Sequence, residues 1–188
     1  MIELTEEQLE QSYGDDPFNL SGIRNQHNTP LHWYNCGGFA LKTFTWLTPY
    51  TEEVEDDDDP YTEEDREEYI EELLLYGASD EYLEDRLVRA DIDQLLKRFD
   101  FLQQINLEDA QPNDLIIAYR VFVRADKDRE YIEDTDFHFK VRLNGFWFEK
   151  MGGGEIHLCE LNPDKPWSYM DSELVYSSPI FYLRDNRI

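Results

Sequence analysis

The sequence predicts an α+β fold, with helices first and an antiparallel sheet after them. Three observations predict it. Helical spacing and capping residues dominate up to about residue 100. Strand-like runs then follow, "DLIIAYRVFV" (114–123) and "FHFKVRLNGFWFEKM" (137–151). Within the second run Asn144-Gly145 separates two strand-like stretches, the strongest short hairpin signal a sequence carries.

Taken in order, residues 5–12 read as a short helix with Thr5 as a cap. Residues 13–34, rich in Asn, Gly, Pro and His, read as loop. Residues 36–47 are predicted helical: Ala40, Phe44 and Leu47 share a face, Phe39, Thr43 and Trp46 lie beside it, and Pro49 ends it. Between Glu52 and Glu72 stand fourteen acids and one base, Arg66. The part through Pro60 reads as a solvated loop. Thr62 and Asp65 suit a helix start and Gly77 its end, with Tyr69, Leu73 and Tyr76 as the inward stripe. A second helical stretch runs from about Asp80 to Phe99, with Ala90 as a candidate break point. Pro112-Asn113 then turns the chain into the 114–123 strand. A charged loop over 124–136, the hairpin, and a last strand in "SSPIFYLR" complete the order.

The 188 residues fit a single domain (1–188), with about 49–110 as an acidic helical insertion. Aromatic residues make up 14% of the chain, which argues for a packed interior rather than disorder. The formal charge of −26 repels phosphate backbones and so argues against direct nucleic-acid binding. It favours a basic protein partner, or serves solubility alone. The acidic "MIELTEEQLEQ" start reads as no signal peptide, and no run is long enough to span a membrane. Two cysteines, Cys36 and Cys159, make neither a disulfide framework nor a zinc pattern, so a reducing cytoplasm is expected. No phosphate-binding loop, dinucleotide fingerprint or calcium loop appears, and no cofactor or metal is expected.

One cysteine sits in an unusual place. "HWYNCGGFALKTF" (32–44) puts Cys36 between Asn35 and two glycines, ahead of an apolar run. With Asn35 as the helix cap, Cys36 is the first helical residue, where the positive end of the helix favours thiolate. First-turn N–H groups have no helical partners and suit an oxyanion. Gly37 and Gly38 suit the close approach of a backbone or a substrate. A cysteine that merely packs at a helix start is the alternative.

A thiol nucleophile needs a base. With a two-residue turn at Asn144-Gly145, Leu143 faces Phe146, Val141 faces Phe148 and Phe139 faces Lys150. One face of the hairpin then carries Phe139, Val141, Leu143, Phe146 and Phe148. The other carries His138, Lys140, Arg142, Trp147, Glu149 and Met151. His138 and Glu149 are diagonal neighbours on that second face, so a carboxylate can orient an imidazole. The alternatives are an ion pair of Glu149 with Lys140, directly opposite, and a solvated His138. His157, sharing a face with Glu155, is the rival base. His27 and His32 precede Cys36 in the loop and read as structural or substrate-contacting.

The order cysteine at a helix start, histidine on a strand, polar residue a strand later resembles the papain-like cysteine peptidases of the NlpC type. "NCGGF" (35–39) is similar to that family's nucleophile motif. "PNDLII" (112–117) is similar to its "Gly-Asp-Leu" strand opening. His138 and Glu149 fall where the base and third residue stand. Asn replaces the usual Asp and Gly the usual Ser around Cys36, and the acidic stretch is unusually long. The resemblance covers about residues 30–48 and 110–152. It implies a helix packed on an antiparallel sheet or partial barrel, with catalytic residues Cys36, His138 and Glu149. It also implies a cytoplasmic or phage-type thiol hydrolase, a peptidase or amidase, acting on a peptide or amide substrate. The competing expectation is a non-enzymatic acidic interaction protein, or charge mimic, that binds a basic partner.

Overall fold

The structure, a computed structural model, describes residues 33–50, 61–143, 145–152, 154, 156–168 and 174–187. The N-terminal helix read at 5–12, His27, His32, the acidic loop through Pro60, Asn144 and Glu155 lie outside the described residues. The fold is mixed α+β. Helix α1 (Cys36–Ala40) is followed by α2 (Glu63–Leu75), α3 (Asp80–Arg98) and eight strands. They are β1 (Leu102–Ile105), β2 (Leu115–Ala125), β3 (Ile132–Leu143), β4 (Phe146–Lys150), β5 (Ile156–Cys159), β6 (Trp167–Ser168), β7 (Val175–Tyr176) and β8 (Phe181–Asp185). Six strands form one antiparallel sheet in the order β1-β8-β2-β3-β4-β5, and β6 and β7 form a separate two-stranded ribbon. Among the described residues no helix is long and apolar enough to cross a membrane.

The sheet is covered on both faces, which explains why β2 reads as a continuous apolar run and not an alternating one. Its residues from Leu115 to Val123 are all buried. Leu115, Ile117, Tyr119, Val121 and Val123 join Phe139, Val141, Leu143 and Phe148 in the main core, under the helices. Ala118 and Phe122 point the other way, into a smaller cluster with Trp167 and Tyr176.

Helix α3 is the chief cover of the first face. Leu83, Leu87, Val88, Ile92 and Leu95 recur at helical spacing and are buried, each adding about 1.5–3 kcal/mol of burial free energy. Ser79 caps its start, acids fill the first turn and Lys97 and Arg98 the last. It runs unbroken past Ala90, where Leu87 and Val88 before it and Asp91 and Ile92 after it are all buried. Helix α2 starts with the Thr62–Asp65 capping box and ends before Gly77, whose φ of +76° suits a residue without a side chain.

The inward stripe of α2 differs from the expected one. Arg66, Ile70 and Leu74 are buried, whereas Tyr69 and Leu73 are half-buried and Tyr76 is 82% exposed. The reason is Arg66. Its guanidinium meets the buried Asp91 carboxylate of α3 at 3.1 Å and donates to Thr135 Oγ1 of β3 at 2.7 Å. Tyr119 donates to the same carboxylate at 2.6 Å and Tyr61 at 3.2 Å. Satisfying that buried acid fixes the rotation of α2 and turns its other acids to solvent.

The β3–β4 hairpin takes the register its spacing predicts, from Leu143–Phe146 to Lys140–Glu149. The loop between β2 and β3 is only 126–131, shorter than expected. The strands extend to Ala125 and from Ile132, tied by Arg124 pairing with Glu133 and Asp134 across the ladder.

Candidate functional site

Asn35 organises the segment that carries Cys36. It caps α1, its Oδ1 accepting from the N–H of Gly38 at 3.0 Å. The same oxygen accepts from the N–H of Leu47 at 3.0 Å, and its Nδ2 donates to the Leu47 carbonyl at 2.8 Å. One buried side chain thus pins both ends of a chain that leaves and returns. The helix stops at Ala40 and not at 47 as expected, because the chain must double back through Lys42 (φ 56°) and Phe44 (φ 53°). Gly38 makes the return possible. A Cβ there would lie 1.9 Å from the Thr45 carbonyl oxygen.

Helix α1 packs on β3 where β4 has stopped pairing. The β3–β4 ladder ends at Lys140–Glu149, and at the next position the N–H of Phe139 acts on the Cys36 sulfur. A Cβ on Gly37 would meet the Phe139 ring at 3.2 Å, so α1 and β3 are in close contact there. Lys150, at the end of β4, is fully buried. Its Nζ donates to the Gly152 carbonyl and lies 4.7 Å from the centre of the Tyr34 ring.

His138 projects from the other face of β3, opposite Arg120 of β2. It is buried, which removes the solvated alternative. Trp167 of β6 stands edge-on at 5.9 Å between ring centres, and the Tyr176 ring of β7 is 5.8 Å away. Arg120 holds this cover down: its guanidinium donates to the Lys165, Pro163 and Tyr176 carbonyls and stacks on Trp167. His138 Nε2 lies 3.5 Å from Glu149 Oε2, a long contact, and Lys140 Nζ is 3.0 Å from the same oxygen. The orienting carboxylate and the cross-strand ion pair, weighed as alternatives on sequence, are therefore present together.

Cys36 and His138 line one cleft of about 490 Å³. Around them stand Asn35, Trp46, Tyr50, Asp136 and Tyr176, among others. Sequence reasoning missed Asp136, although it lies two residues before His138 and so on the same strand face. Its Oδ2 accepts from the Tyr176 hydroxyl at 2.6 Å. His157, the rival base, is exposed on β5 beside Glu149 and does not line this cleft.

The electrostatics differ from expectation. Burial pushes the Cys36 thiol up to about 12. The N–H groups of Phe139, Gly37 and Cys36 itself act in the opposite direction, and Asp136 adds to the rise. A one-and-a-half-turn helix does not offset that desolvation. Cys159 is likewise pushed up to about 12 by burial, with Lys140 opposing and Glu149 adding to the rise, so the helix start does not set Cys36 apart from it. Burial also lowers the His138 pKa, against the raising effect of Glu149, so its imidazole rests neutral. Glu149 stays ionised: contacts with His138 and Lys140 outweigh its partial burial and hold it below the usual carboxylate range. Among the described residues no group of three or more His, Cys, Asp or Glu side chains is placed to hold a metal.

Comparison with protein-family models, with curated proteins and with solved structures returns no match to this chain.

Proposed function

We propose that this protein is a papain-like thiol hydrolase of the NlpC type, a peptidase or amidase that attacks an amide bond through Cys36. The observation that carries the reading is that Cys36, first residue of its helix, and His138, on a strand it packs against, line one cleft while Glu149 stands behind His138. A cysteine helix laid on an antiparallel sheet is the arrangement that this class of enzyme requires.

The resting groups are both neutral, so the thiolate–imidazolium pair is not preformed. In this reading His138 takes the thiol proton as the sulfur attacks the carbonyl carbon, and returns it to the leaving amine. Nε2 is turned to Glu149, so Nδ1 is the base, and Glu149 stabilises the imidazolium that forms. The N–H groups of Gly38 and Phe39 are taken by Asn35, which leaves those of Cys36 and Gly37 as donors to the developing oxyanion. Lys140 shares the Glu149 carboxylate and weakens its pull on the histidine.

The test is labelling by a peptidyl chloromethyl ketone, followed by intact-protein mass spectrometry and peptide mapping. One adduct on Cys36 is expected, slowed about 100-fold in His138→Ala, since a positioned base contributes about 10²–10⁴. Equal labelling of Cys36 and Cys159, or a rate indifferent to His138→Ala, rejects the reading.

A second reading, an acidic interaction protein that binds a basic partner, is favoured by the tip of α2. There Leu75 and Tyr76 are 83% and 82% exposed beside exposed Glu71 and Glu72. Binding of that kind is indifferent to Cys36→Ala.

A further inference from the structure

We propose that the cleft beside Cys36 takes a cationic side chain, of the lysine or arginine type, held by Asp136 and the aromatic rings of Trp46, Tyr50 and Tyr176. Calling that ligand a substrate rests on the thiol-hydrolase reading; its recognition does not.

Charge decides the class. Of the described residues that line the cleft, Asp136 is the one acid and none is lysine or arginine. The cations beside the cleft already have acceptors: Lys140 has Glu149, Lys150 has the Gly152 carbonyl and the Tyr34 ring, and Arg98 has the Thr48 and Tyr50 carbonyls. His138 adds no positive charge, being neutral at rest. Asp136 is fixed in place: its Oδ1 accepts from the N–H of Phe137 at 2.8 Å and its Oδ2 from Tyr176 at 2.6 Å. A carboxylate has about four acceptor sites, so these bonds orient it without using it up. An anionic ligand meets this carboxylate and the field of a chain with a formal charge of −26. A neutral apolar ligand strips water from the carboxylate and gives nothing in return. A cation satisfies it.

The walls suit the same ligand. Trp46 is 54% exposed although it lines the cleft, and the Tyr50 and Tyr176 rings line it too. Aromatic faces attract ammonium and guanidinium groups and bury their aliphatic stems. The volume, about 490 Å³, falls in the range of about 300–1,000 Å³ usual for small-ligand sites and admits a side chain with the backbone on either side.

The experiment uses the full chain as Cys36→Ala, so that binding is read without turnover. Blocked tripeptide amides, acetyl-Gly-X-Gly-amide with X as Lys, Arg, Glu or Leu, are titrated by NMR. The Lys and Arg peptides are expected to bind at least about tenfold tighter than Leu, with Glu weakest. Adding Asp136→Asn should abolish the preference. Trp46→Leu, at an exposed position that does not threaten folding, should reduce it several-fold and decides the matter if Asp136→Asn unfolds. Equal affinity for Lys and Leu, absence of binding, or a preference that survives both substitutions overturns the proposal. A lysine preference in a protein whose Cys36 resists the chloromethyl ketone upholds the cation site and rejects the hydrolase reading alone.

Discussion

At the scale of single residues, the segment around Cys36 is governed by Asn35 and Gly38. Asn35 reads on sequence as a helix cap, and it is one. Its second task, holding Leu47 from both sides, is a contact across twelve residues that no local pattern announces. Gly38 likewise invites two readings, a substrate passing close or a backbone passing close, and the backbone of Thr45 occupies the space. The conflict with any larger residue is with a carbonyl oxygen, not with a side chain that can rotate away. Gly38→Ala is therefore expected to cost about 3 kcal/mol or more, at or above the usual range for an overfilled interior. Gly77→Ala tests the different penalty of a positive φ in open space and should cost about 1 kcal/mol. Urea unfolding of the two variants checks the order. A Gly38→Ala protein as stable as the wild type would show that the return of the chain to Asn35 is looser than described.

At the scale of elements, what joins the acidic helix α2 to the sheet is the buried cluster of Arg66, Asp91, Tyr119 and Thr135. Removing one charge leaves the other buried without its partner. Arg66→Leu or Asp91→Leu alone should each cost about 3–5 kcal/mol. Replacing both together should recover part of that, but not all, since Tyr119 and Tyr61 then lose their acceptor. A double-mutant cycle measured by urea denaturation gives the coupling, and additive losses would refute it. This cluster also shows where legibility ends. The β3–β4 register and the character of β2 were readable because Asn-Gly, alternation and a long apolar run are local signals. The α2 capping box was readable for the same reason. The rotation of α2 was not, because a lone arginine among acids looks solvated. The available clue was that Arg66, Ile70 and Leu74 recur every four residues, while Asp91 lies four after Leu87 in the buried row of α3. Strand β1 escaped notice because its four residues pair with distant β8, and the β6–β7 ribbon because each of its strands is only two residues long. In the candidate site, the shared strand face of His138 and Glu149 was legible from register, but the depth of Cys36 was not. Burial comes from the whole assembly of α1, β3 and the chain returning to Asn35, and it reverses the thiol shift that a helix start alone suggests.

For the whole molecule, the positive charges are partly spent inside. Among the described residues Arg66, Arg120, Lys140 and Lys150 are buried, but so are Glu84, Asp91 and Asp185, so the surface keeps the strong acidity of the formal −26. Self-repulsion of that surface is relieved only where carboxylates titrate, near pH 4 to 4.5. His138 acts before that. Its folded pKa is lowered, so between the ordinary value of about 6.5 and that lower one the unfolded chain binds a proton which the folded chain refuses. Stability must then fall as pH falls through this window, by up to about 1.4 kcal/mol per pH unit. Glu84 has the opposite sign. Burial raises its carboxyl, so the folded state takes up a proton first and gains stability as pH drops from that raised value toward the ordinary one. The two are separated by comparing the wild type with His138→Gln from pH 7 to pH 5, since Glu84 and the surface acids contribute equally to both proteins. The stability difference between them should shift against the wild type on acidification. A difference that is flat with pH would mean that the imidazole is not held neutral, and the neutral resting pair of Cys36 and His138 would have to be replaced by a charged one.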